Sequence, residues 1–115
     1  MKVSLAPLLA KLPAAVTDKW PGGEPFTEVL RHGTLSVEVF APRGIDSQEP
    51  HDQDELYFIV SGSAEFTHEG KRMSVTGGDC LFVAAHDRHH FEKMSGDFVT
   101  WVVFWGPKGG EGQPS

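Results

Sequence analysis

At 115 residues the chain has room for one closed hydrophobic core and not for two. Its formal net charge of -6 leaves no basic surface to displace counterions from phosphate, which argues against nucleic acid and anionic membranes as partners. Hydrophobic residues make up 39% of the chain, and its 13 glycines and 8 prolines fall mostly between apolar runs, so a wholly disordered chain is excluded.

The first residues, MKVSLAPLLAKLP, place Leu5, Leu8, Leu9 and Leu12 at helical spacing, with Ser4 positioned to cap the first turn and Pro7 limiting the helix to about two turns. Lys11 and Pro13 interrupt this stretch and no small-residue cleavage site follows, so the expectation is an arm of a cytoplasmic protein. Residues 1–22 form that arm, ending at Trp20 and the turn-forming PGGEP. Beyond it the period changes to two: FTEVLRH, TLSVEVFA, DELYFIV, SAEFTHE, KRMSV, CLFVAA, HHFEKM and FVTWVVFW, joined by glycine- and proline-bearing turns. Eight short strands with no further helix predict an all-β domain over residues 23–106, an antiparallel sandwich or barrel. No apolar run approaches the roughly 20 residues of a membrane span. The last stretch, residues 107–115, is expected to be a mobile tail. Cys80, the one cysteine, is expected to be a small buried core residue in a reducing compartment.

Two strands are apolar on both faces. In DELYFIV, Glu55, Tyr57 and Ile59 oppose Leu56, Phe58 and Val60; in FVTWVVFW, Phe98, Thr100, Val102 and Phe104 oppose Val99, Trp101, Val103 and Trp105. One face fills the interior. The other needs the arm or a second copy of the chain, and the expectation is a homodimer.

Glu49, His51, Gln53 and Glu55 share one parity and run directly into the inward-facing Tyr57. A buried carboxylate among further polar groups is costly unless a cation compensates it. His89 alternates with Phe91 and so faces inward, while His90 and Glu92 point away. Two imidazoles and one carboxylate leave open coordination positions, the arrangement associated with non-heme iron. For His32, His68, His86 and His90 the expected place is the surface. Asp79, after Gly77 and Gly78, is expected to close a turn.

The segment EPHDQDELYFIVSG resembles the first cupin motif, with Glu55 and Gly62 at the required separation and His51 at the second histidine position. GGDCLFVAAHDRHHFE resembles the second, ending in the metal histidine matched by His89. The resemblance covers residues 26–105 and implies a double-stranded β-helix, or jelly roll, holding a divalent metal ion (Fe, Mn, Zn or Ni) through His51, Glu55 and His89, with Glu49 or Gln53 as a candidate fourth ligand. Glu49 stands where most cupins have their first histidine; it is equally placed to meet Arg43 or Arg88. Ala84 and His86 replace the proline and glycine usual before the last motif strand, which leaves Asp87 and its neighbours to make that turn. Glu55 and Tyr57 are candidate catalytic residues. The function this implies is a metal-dependent enzyme of dioxygenase or isomerase type acting on a small molecule inside the barrel; the alternative is a non-catalytic module that senses a small ligand or metal.

Overall fold

The computed structural model describes residues 1–112. A short helix, α1 (Leu5–Leu9), precedes eight strands: β1 (Phe26–His32), β2 (Leu35–Phe40), β3 (Asp54–Ser61), β4 (Ser63–His68), β5 (Lys71–Thr76), β6 (Cys80–Val83), β7 (His89–Glu92) and β8 (Val99–Trp105). They form an antiparallel five-stranded sheet in the order β1-β2-β8-β3-β6 and a three-stranded sheet in the order β5-β4-β7. Among sequence neighbours, β1 pairs with β2 and β4 with β5, the latter across Glu69-Gly70. The chain crosses between the sheets from β3 to β4, from β5 to β6, from β6 to β7 and from β7 to β8, the jelly-roll arrangement.

The inner faces meet in one core. Tyr57 and Ile59 of β3, Phe66 of β4, Val75 of β5, Val83 of β6, Phe91 of β7 and Val102 and Phe104 of β8 are all buried together, with Phe98 and Trp20 closing the ends. Tyr57 and Phe91 pack edge to face at 5.1 Å between ring centres, and Phe66 lies 4.8 Å from Phe91. The alternation in DELYFIV and FVTWVVFW is as expected, with Tyr57, Ile59, Val102 and Phe104 inside.

The outer face of the large sheet is half covered by the chain's own arm. Leu5, Leu8, Leu9 and Leu12 pack on Val39, Ala41 and Val99. An isolated helix of five residues is unstable in water, so this packing is what holds α1. Ser4 makes no side-chain cap hydrogen bond, contrary to expectation; the apolar contacts replace it. Phe58, Val60 and Phe82, at 43%, 41% and 54% exposure, occupy the uncovered half.

One other expectation fails. Cys80 is exposed, because β6 turns Leu81 and Val83 inward and Cys80 lies opposite the outward Phe58. In the last stretch, Gly109 N donates to Asp52 O and Glu111 N to Asp54 Oδ2. Residues 113–115 lie outside the described residues. Among the described residues no helix is long and apolar enough to cross a membrane.

Candidate metal centre

His51 lies in the loop before β3, Glu55 one residue into β3, and His89 at the start of β7, in the opposite sheet. Two backbone clasps hold these elements in register. His86 N donates to His51 O at 2.7 Å, and the buried Asp54 carboxylate accepts from Ala85 N at 3.0 Å and from Glu111 N at 2.9 Å. The turn that carries the chain into β7 closes through Asp87 N to Ala84 O, with His86 in the left-handed region at φ 69°. That conformation is the one a glycine adopts without strain, which is why the histidine at this place still makes the turn but at a cost.

Ligand atoms of His51, Glu55 and His89 all lie within 4.8 Å of one another. Glu55 Oε1 is 2.7 Å from His89 Nε2 and 3.6 Å from His51 Nδ1. His89 Nδ1 donates to the carbonyl of Asp87 at 2.8 Å, the outer contact that sets the tautomer of metal-binding histidines. Nε2 of the neutral ring is then a lone pair aimed at a carboxylate. Among the described residues, His51 Nδ1, His89 Nε2 and Glu55 Oε2 are buried without a hydrogen-bond partner. Adjacent ligands on an ion with bonds of about 2.1 Å stand roughly 3 Å apart, so the spacings fit a divalent cation placed among them.

Burial pushes the Glu55 carboxyl up, but the contacts and charges of His51 and His89 more than reverse this and leave it below its ordinary range. For His89 burial pushes downward, and Glu55, with the Asp87 carbonyl, brings the imidazole above its usual value.

His90 points outward to Glu92 at 2.6 Å, so the inward register of His89 is as expected. His68 meets Asp87 at 2.7 Å and is half-buried rather than free on the surface. Asp79 closes the turn before β6 by accepting from Thr76 N. The shared parity of residues 49–55 does not survive, since β3 begins only at Asp54. Glu49 is exposed and outside the cluster. The Gln53 side-chain amide nitrogen donates to the carbonyls of Thr34 and Gly106. Arg43 donates to the carbonyls of Pro42 and Phe98 rather than meeting Glu49.

A cavity of about 140 Å³ opens beside His51, walled by Glu38, Gln48, Tyr57, Phe26, Phe40 and Phe104 among others. The Tyr57 hydroxyl, held protonated by burial and by the charges of Glu55 and Asp46, donates to Gln48 Oε1 at 2.9 Å. Gln48 is in turn held by Asp46, whose carboxylate also accepts from Phe91 N. Glu38 and Gln48 were not singled out from the sequence. The signal for Glu38 was present in TLSVEVFA, where it shares parity with Ser36 and Phe40, both buried. A wider apolar groove of about 530 Å³, between the arm and the barrel, contains none of these groups.

The chain belongs to the cupin family: the cupin domain model matches residues 36–105. It is 38% identical over 85 residues to the uncharacterised protein SCO3923 of Streptomyces coelicolor, covering 72% of this chain and 81% of that one. Among solved structures it resembles a protein of Ralstonia eutropha provisionally assigned as a mannose-6-phosphate isomerase, at 30% identity and a TM-score of 0.58 over 71% of this chain and 83% of that one. It is also 28% identical over 76 residues, 66% of its length, to the HTH-type transcriptional activator RhaS of Shigella sonnei, of which the match spans 27%.

Proposed function

We propose that this cupin holds one divalent metal ion (Fe, Mn, Zn or Ni) through His51, Glu55 and His89 and acts as a metal-dependent enzyme, of isomerase or dioxygenase type, on a small molecule bound in the barrel beside the ion. The observation that carries the reading is that His51 Nδ1 and His89 Nε2, both buried without a hydrogen-bond partner, converge on the buried carboxylate of Glu55. A structural polar cluster would pair these atoms; a cation satisfies all three. Bound there, the metal would polarise a carbonyl or carry dioxygen, while the open side of the cavity admits the ligand. We place the protein in the cytoplasm as a homodimer, without nucleic-acid or membrane partners, on its charge and its outer apolar face.

A second reading is favoured by the likeness to a quarter of RhaS: a non-catalytic module that binds a small ligand or metal and reports it to a partner. Elemental analysis of protein purified without added metal, followed by an oxygen-uptake screen against small acids, separates the cases. Iron with uptake supports the dioxygenase, and zinc, nickel or manganese without uptake supports the isomerase or the binder. A protein that retains no metal overturns the centre altogether.

A further inference from the structure

Three carboxylates of the interior are engaged. Asp54 is clasped by Ala85 N and Glu111 N, Asp46 by Phe91 N and Gln48, and Glu55 faces the two histidines. Glu38 differs. It is half-buried, lines the 140 Å³ cavity, and among the described residues has no hydrogen bond or ion pair.

Its place follows from sheet register. Glu38 of β2 lies opposite Val102 of β8, and Val102 lies opposite Tyr57 of β3, so Glu38 and Tyr57 stand at one level on opposite sides of Val102. Glu55 stands one inward position further along β3, opposite Phe104. Two strand spacings, about 10 Å, separate the Glu38 and Tyr57 backbones. The space between them is the cavity, whose walls include His51 on one side and Glu38 on another.

We infer that Glu38 is the base of this cavity, taking a proton from the carbon beside the carbonyl of a small hydroxycarbonyl compound and returning it. This deepens the isomerase form of the proposed function and rests on that reading. The volume holds about five waters, which limits the ligand to a few heavy atoms. Neighbouring carbonyl and hydroxyl oxygens suit the His51 side, and the aromatic walls of Phe26, Phe40 and Phe104 suit the carbon between them and Glu38. In the step, the C–H bond breaks, the proton goes to the Glu38 carboxylate, and the electron pair moves through the forming C=C bond onto the carbonyl oxygen. Delivery of the proton to the former carbonyl carbon, as the neighbouring hydroxyl gives its proton to the first oxygen, shifts the carbonyl by one carbon, while return to the original carbon gives exchange; neither consumes an oxidant or reductant.

The electrostatics of the site agree. The groups facing Glu38 are Glu28, opposite it on β1, His51 in the loop before β3, Glu55 and Tyr57 on β3, and Lys19 at the cavity wall. Burial, then the Glu55 and Glu28 charges, push its carboxyl up to about 7 against the opposing pull of His51. A base with that value is matched to work near neutral pH.

The test uses metal-loaded wild type and Glu38→Gln in D2O, with glycolaldehyde, dihydroxyacetone and glyceraldehyde as probes. Loss of the C–H proton signals measures exchange, saturation transfer measures contact with the probe, and elemental analysis measures metal. Wild type is expected to exchange at least one probe, with a rate that rises with pH as the Glu38 carboxyl loses its proton. Glu38→Gln is expected to exchange about 100-fold more slowly or worse, with unchanged metal content and probe contact. Glu38→Asp is expected to recover part of the rate. In metal-free wild type the Glu38 carboxyl carbon resonance should titrate near neutrality. Equal exchange in wild type and Glu38→Gln, a loaded wild type that exchanges no probe, or a Glu38 midpoint in the ordinary carboxylate range overturns the inference. A wild type that takes up no metal overturns both readings, at the metal assay instead of at the exchange.

Discussion

Nε2 of His89 stands 2.7 Å from Oε1 of Glu55, while the other nitrogen of the same ring is held at 2.8 Å by the carbonyl of Asp87. With the outer nitrogen committed as a donor, the inner one can face a carboxylate only through an added proton or a cation. The two compete for one place. Metal binding at this centre therefore releases a proton, and metal affinity should fall as the pH is lowered.

His51→Ala and His89→Ala are expected to lower metal content at least tenfold, because each removes one of three ligands, whereas His90→Ala and Glu49→Ala should leave it unchanged. Elemental analysis after identical purification checks this. Loss of metal in His90→Ala with retention in His89→Ala would mean that β7 presents its other face to the interior.

The Glu38 carboxyl supplies a pH dependence of opposite sign to that of a salt-bridged acid. Its value is raised from 4.5 to about 7 in the folded chain, so below about pH 4.5 it is neutral in both states and costs nothing. Between about 4.5 and 7 the unfolded chain loses the proton that the folded chain keeps, and folding stability falls by up to about 3 kcal/mol. Above about 7 the loss is complete. Glu38→Gln removes this term, so metal-free Glu38→Gln should melt above wild type at pH 8, with the difference shrinking toward pH 4. A difference in Tm that is constant across that range would show that the carboxyl is hydrated in the folded state.

Much of this arrangement was legible in the chain. Period-two alternation located all eight strands, and parity placed Glu55, Tyr57 and His89 inside because a buried face forces register. The same rule misled for Glu49 and Gln53, since parity holds only in extended paired backbone and that stretch is a loop. His51 reaches the centre through the hydrogen bond from His86 N, a tertiary contact that spacing does not encode. Glu38 carried a parity signal, but an acid in an alternating strand reads as solvent-facing until its register with Val102 is known.

Gly62 is expected to be among the least replaceable residues of the barrel. Its φ is 77°, and a Cβ there would meet Phe98 Cα and Phe98 N at 2.6 Å, both backbone atoms of the segment leading into β8. Gly70 has nearly the same φ, 79°, with open space around it. Gly70→Ala should thus show the conformational cost alone, about 1 kcal/mol, and Gly62→Ala a loss of at least ~2 kcal/mol from the added clash. Chemical denaturation of both variants separates the two terms, and equal losses would mean that the Phe98 segment shifts aside freely.

The outer face of the large sheet leads to the expectation of a homodimer. The arm covers Val39, Ala41 and Val99 within one chain, so exchange of arms between copies is not required to bury Leu5, Leu8, Leu9 and Leu12. What it leaves open is the side formed by β3 and the edge strand β6, where Phe58, Val60 and Phe82 are exposed beside the half-buried Leu56 and Val103. An apolar patch adjoining a free strand edge invites association, and a two-fold contact between copies covers both features at once. Light scattering at micromolar concentration should give twice the chain mass, and Phe58→Glu with Phe82→Glu should halve it without loss of the folded spectrum, since neither side chain reaches the core. A wild type that is monomeric at these concentrations would show that the patch is tolerated in water, and a dimer untouched by the double substitution would place the interface elsewhere on the barrel.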